Sequence, residues 1–313
     1  MTMDAFSYKY MQMAVQASMG QIPIGSNIVA YVRSTGVQAN DTTAITSKFY
    51  SSVLSALSAC TSGRRDVIMV LNGHVERVNT AMFTSAPTDV RIIGVGGADE
   101  DLAPTFKWSG AADNLAIAAK NTTIANMRFL ADANDVTEMI TVTAAGVKFL
   151  GCWVDAGVTS STDALIVFNV STGANQCSII GCDLRCTAAS GVTQFIKLAT
   201  VVDETKIIGN KIMGFGSSTT VGLIDISAAT TNVFISGNYI DQQKTSGTVA
   251  VSVANVASTG FICDNYFSNL NNGVANATGI IYAGTNSLIR SYQNFNCDEP
   301  NKSGVLSPAV VAT

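Results

Sequence analysis

The hexad at residues 124–129, IANMRF, returns along the chain as FLGCWV from Phe149, IIGCDL from Ile179, IIGNKI from Ile207, ISGNYI from Ile235 and ICDNYF from Ile262. Successive starts lie 25, 30, 28, 28 and 27 residues apart. Self-similarity at this period marks a stacked architecture in which each unit buries its apolar face against the next. VRIIGVGG around Ile92 and LIRSYQNF around Ile289 extend the series, so about eight coils are expected between residues 90 and 298.

A second strand recurs between the hexads, carrying the apolar pairs Ile140/Val142, Phe168/Val170, Ile196/Leu198, Ile224/Ile226 and Val251/Val253. Between the members of each pair stand Thr141, Asn169, Lys197, Asp225 and Ser252, and this alternation of period two predicts strands with the polar residue facing outward. No stretch within the repeat has helical periodicity, which argues against leucine-rich repeats of similar length. The expected fold is all-β: a single-stranded right-handed parallel β-helix.

Within the hexads, Cys152, Cys182, Asn210, Asn238 and Asn265 occupy one position. Coils stacked about 4.8 Å apart align like side chains in a column, where asparagine amides hydrogen-bond from coil to coil. These five residues are therefore assigned to a structural ladder, with the two cysteines as stacked buried thiols.

A β-helix needs a cover over its first coil, because an open end exposes core and unpaired strand edge. After Asp41, a candidate N-cap, residues 42–60 place Ile45, Phe49, Val53 or Leu54, and Leu57 at helical spacing before Gly63, which predicts an amphipathic capping helix. DVIMVL at residues 66–71, the turn Asn72-Gly73-His74 and VERV at residues 75–78 predict two entry strands. The chain thus divides into an N-terminal arm (1–31), a cap with entry strands (32–89), the β-helix (90–298) and a tail (299–313). In the arm, Phe6, Tyr10, Met13 and Ala17 form an apolar stripe. The arm holds five of the ten methionines, and the stripe reads either as an attachment element for a partner or as packing on its own domain.

Composition narrows the functions. Of 313 residues, 47% are hydrophobic and only 13% charged, so a large core rests under a surface of Ser, Thr, Asn and Gly. A net charge of −4 argues against a nucleic-acid partner, which calls for a basic stripe. No uncharged apolar run reaches 18 residues, and MTMDAFSYKY lacks the pattern of a signal peptide, so no membrane partner is expected. Seven scattered cysteines form neither a disulfide nor a zinc framework.

The coils offer few groups for catalysis. The acids Asp155, Asp183, Asp225 and Asp241 are not repeated at one-coil spacing, as paired carboxylates would be. Lys197 and Asp225, 28 residues apart, read as a surface ion pair, with a catalytic couple as the minor alternative. His74 is the only histidine and is assigned to turn hydrogen bonding, which excludes triads and multi-histidine metal sites. The clusters 99–101, 203–204 and 298–299 read as solvated corners, and IIGVGG lacks the helix that a phosphate loop requires. No catalytic residue, metal ligand or cofactor is expected.

The passage from Tyr31 to Gly97, with LSALSAC, GRRDVIMVLNGHVERV and VRIIGVGG in succession, resembles a recurrent bacteriophage family of right-handed β-helix proteins with a pectate-lyase-like fold. It departs from the family's Pro-Gly-His-Thr-Glu turn, reading Asn72-Gly73-His74-Val75-Glu76. The resemblance implies a non-enzymatic virion protein of the head-decoration type on the capsid exterior, assembled in the host cytoplasm. Such a protein would be a homotrimer with the major capsid protein as partner. The competing implication is a tailspike or receptor-binding protein that binds or cleaves host polysaccharide. A secreted carbohydrate-active enzyme is disfavoured by the missing signal peptide, the odd thiol count and the empty catalytic columns.

Overall fold

The computed structural model describes residues 28–34, 48–78, 83–95, 103–159, 162–187, 192–215, 221–243, 249–268, 280–282 and 288–297. Three parallel sheets run along a right-handed parallel β-helix, and from Arg91–Val95 to Ile280–Tyr282 each turn of the chain contributes one strand to the main path of each sheet. The first sheet has 11 strands and the second 9, while the third has seven on its main path. Strand follows strand at one-turn register throughout, as in Phe149↔Ile179, Ile179↔Ile207 and Ile207↔Ile235.

Complete turns are fewer than the eight expected. The turn that opens at Leu288–Tyr292 continues into Phe295–Cys297 in the second sheet, and no third-sheet strand follows among the described residues. Register also shifts in this turn: Ser291, and not Ile289, lies opposite Ile262, because Ile289 pairs with Gly260.

Each hexad is two strands joined by a corner. In the turn carrying IIGNKI, Lys206–Ile208 ends in the first sheet and Lys211–Gly214 begins in the second. Between them Gly209 takes φ +63, and the same corner is left-handed at Asn126, Gly151, Gly181, Gly237, Asp264 and Gln293. Glycine adopts this conformation without Cβ strain, and Asn and Asp tolerate it best among the others. One residue of reversed φ at a fixed place is what turns a strand pair of the first sheet into the second.

The core is the stack of inward positions. Ile124, Phe149, Ile179, Ile207, Ile235 and Ile262 line it from the first sheet, and the five expected third-sheet pairs line it opposite, all with essentially no exposure. An aromatic run, Phe83, Phe106, Phe129, Phe149 and Phe168, passes through it with centroid separations of 6.4, 6.1, 6.2 and 4.8 Å. Trp108 is fully buried beside it and donates its indole N–H to Met139 O at 2.8 Å.

The capping helix is much shorter than expected. Phe49–Tyr50 is a strand paired with Tyr31 and Val32, and among the described residues only Val53–Leu57 is α-helical, capped by Ser52, whose hydroxyl accepts from Ser55 N. Strand pairing at the sheet edge wins over the local helical pattern, because Phe49 and Tyr50 gain a ladder and packing that an isolated short helix lacks. Asp41 and Ile45 lie outside the described residues. Ile28–Val32 pairs with Val67–Leu71 in the first sheet and crosses the expected arm boundary at residue 31. The entry strands form at Val67–Leu71 and Val75–Arg77.

Candidate functional site

The polar column behind the corners is a continuous hydrogen-bonded ladder. Asn210 Oδ1 accepts from Cys182 N, and Asn238 Oδ1 accepts from both Asn210 N and Asn210 Nδ2, all at 2.9 Å. Asn265 does the same for Asn238, and Asn294 for Asn265. Each amide also donates to a backbone oxygen one turn back: Asn210 to Ile179 O, Asn238 to Ile207 O, Asn265 to Ile235 O and Asn294 to Ile262 O. Asn294 is a ladder member beyond the five expected, hidden in the sequence by the register shift at Ser291.

Cys152 and Cys182 complete the column as buried thiols, Cys152 Sγ near Ile124 O at 3.5 Å and Cys182 Sγ near Ile180 O at 3.5 Å. Contact with Cys152 and then burial hold the Cys182 thiol far above its ordinary value, so it stays protonated. Burial likewise pushes Cys177 up to about 12. Thiols in such surroundings are poor nucleophiles.

Several acids of the coils are held in bonds within and between turns. Asp225, only 4% exposed although it faces away from the core, accepts from Ser252 Oγ at 2.6 Å and from Gln194 Nε2 at 2.8 Å. Lys197 lies beside it in register, but the ion pair expected between them does not form among the described residues. Neutral donors that are themselves anchored satisfy the buried carboxylate more fully than a half-exposed ammonium. Glu138 accepts from Thr141 Oγ1 and Asn169 Nδ2, and Asp203 from Thr231 Oγ1 and Asn232 Nδ2. Those bonds hold the Asp203 carboxyl below its ordinary range.

His74 is buried, with Nδ1 3.2 Å from Ser34 Oγ and Nε2 3.0 Å from Glu76 Oε2. Glu76 in turn accepts from Val53 N at 2.6 Å, so the histidine ties the entry turn to the short helix. On the second sheet, Trp153 lies against the guanidinium groups of Arg185 and Arg128, and both pair with aspartates: Arg185 with Asp183, Arg128 with Asp155. Farther along the same column Tyr239 lies beside Tyr266, and Tyr266 stacks on Phe295 at 5.1 Å.

One open groove crosses the outer face of the first sheet, with a volume of about 680 Å³. Its floor has two columns. Arg91, Thr123, Lys148, Ser178 and Lys206 stand in register on successive turns. Beside them runs an aliphatic column in which Leu150 and Ile180 are half-buried. One wall is the row of corner residues Asp89, Asn121, Gly146, Gln176 and Glu204. There Asn121 Nδ2 donates to Asp89 Oδ1 and Gln176 Nε2 to Glu204 Oε2, each at 2.9 Å. Burial and then the charge of Arg65 shift Arg91 downward. The first column continues past Lys206 into Phe234 and Phe261, where a second hollow of about 560 Å³ opens. The sequence alone does not reveal this site, although Arg91, Lys148 and Lys206 each occupy the place just before a core residue of the repeat, Ile92, Phe149 and Ile207.

Phe6, Tyr10, Met13 and Ala17 lie outside the described residues, as do residues 99–101 and 298–299. Among the described residues no three His, Cys, Asp or Glu side chains are placed to hold a metal ion, and no helix is long and apolar enough to cross a membrane. No family model, curated protein or solved structure matches the chain.

Proposed function

We propose that this chain is a non-enzymatic structural protein of a bacteriophage particle, a decoration or cementing protein that stands on the capsid as a homotrimer. The observation that carries the reading is the employment of the coil carboxylates: Asp225, Glu138, Asp155 and Asp183 all serve bonds within and between turns. A rod stiffened in this way suits a passive appendage, and the resemblance of residues 31–97 to phage β-helix proteins supplies the particle. The arm with Phe6, Tyr10, Met13 and Ala17 is the proposed contact with the major capsid protein. The test mixes purified chain with empty heads and with capsular polysaccharide. Co-sedimentation with heads and unchanged polysaccharide length are expected; shortened polysaccharide without head binding overturns the reading.

A second reading, a receptor-binding protein that holds host polysaccharide, is favoured by the groove on the first sheet. It differs in location, at the tail and not on the head, and in having a glycan as partner.

A further inference from the structure

We propose that the groove on the outer face of the first sheet is a binding site for an acidic polysaccharide, whichever part of a particle carries the chain. Its lining holds four cations, Arg65, Arg91, Lys148 and Lys206, against two acids, Asp89 and Glu204, in a chain whose net charge is −4. Both acids already accept hydrogen bonds from neighbouring amides. Lys148 and Lys206 are exposed, and neither enters an ion pair among the described residues. Nothing in the fold requires their charge.

The spacing is regular. Arg91, Lys148 and Lys206 occur on every second turn, so the cations repeat at about 9.6 Å along a straight line, with Thr123 and Ser178 between them. A linear polymer with a charge on alternate units, and hydroxyls to share with Thr and Ser in between, meets this pattern. The half-buried strip of Leu150 and Ile180 offers the apolar floor on which the C–H face of a sugar ring rests, and Phe234 and Phe261 extend the column with stacking surfaces.

An acidic peptide fits less well. Extended peptides gain affinity by adding a strand to an open sheet edge, whereas the groove lies on a sheet face whose backbone groups are already paired between turns. Recognition there falls to side chains alone.

The test titrates the full chain with hyaluronan, which carries one carboxylate on alternate units, and with dextran sulfate, neutral dextran and polyglutamate, and repeats the titration with three variants. Lys148→Glu and Lys206→Glu reverse charges in the groove; Lys211→Glu makes the same change on the exposed face of the second sheet. Binding of at least one acidic glycan is expected, weakened by about tenfold or more in each groove variant and within about twofold of the parent in Lys211→Glu. Affinity should fall as salt is raised, as for exposed charges. No binding of either acidic glycan, equal weakening by Lys211→Glu, dextran binding as tight as dextran sulfate, or polyglutamate binding as tight as the glycans each overturns the proposal. Head binding is read on particles and groove binding on the purified chain, so failure of one leaves the other standing.

Discussion

Asn210 and Asn238, one turn apart, share a single oxygen twice: Asn238 Oδ1 accepts both the backbone N–H and the side-chain amide of Asn210 at 2.9 Å. Asn238→Ala therefore orphans two buried N–H donors of Asn210 and removes the amide bond to the carbonyl of Ile207. Each buried group left unsatisfied costs about 1–3 kcal/mol, so a loss of about 3 kcal/mol or more is expected in urea unfolding. Cys182→Ala, which removes only weak sulfur contacts and leaves a small void, should cost clearly less.

The corner that precedes the ladder predicts a different pattern. Gly209 has φ +63, and a Cβ added there meets nothing within 4 Å, so the penalty for substitution is backbone strain alone. Gly209→Asn should stay within about 0.5 kcal/mol, whereas Gly209→Val should lose about 1–2 kcal/mol. Gly260→Ala should be worse than either, because its Cβ would lie 2.0 Å from Val233 O. Thermal unfolding of the three variants checks the order.

Alkaline pH should weaken the fold. Burial pushes the Cys177 thiol up to about 12 in the folded chain against 9.0 for an exposed thiol, so the folded state retains a proton that the unfolded state gives up. Its contribution is fully present below pH 9 and is lost as pH rises toward 12, at about 1.4 kcal/mol per pH unit for this one group. Denaturant midpoints measured across that window should fall more steeply for the parent than for Cys177→Val.

Much of this arrangement is legible in the sequence, because the inward columns are strong signals. A β-branched or aromatic residue at a fixed place every turn has no rival explanation, and Asn210, Asn238 and Asn265 follow from it. The hexad, however, reads as one strand, since nothing in its hydrophobicity announces the left-handed corner that Asn126 or Asp264 adopts. Ile289 is a misleading anchor for the last turn, because polar Ser291 takes the place that Ile or Phe holds on other turns, its hydroxyl accepting from Asn294 Nδ2. Asp225 looked like a surface acid because alternation gives the face of a strand and says nothing of what covers that face. The groove escaped for a similar reason: Arg91, Lys148 and Lys206 are separated by more than 50 residues each and become neighbours only when the register is known.

The arm carries a prediction of its own. Deleting residues 1–25 should leave the far-ultraviolet β signal and the cooperative melt of the coils, since every described strand lies at Ile28 or beyond, and should abolish binding to heads. An unfolded deletion variant would assign Phe6, Tyr10, Met13 and Ala17 to the core of the domain instead.

The proposed role is tested most directly by an averaged image of particles with and without the chain. The account predicts three-fold clusters of rods standing on the outer surface of the head, absent from particles that lack the chain. Density confined to the tail, or heads that look the same in both preparations, would contradict it.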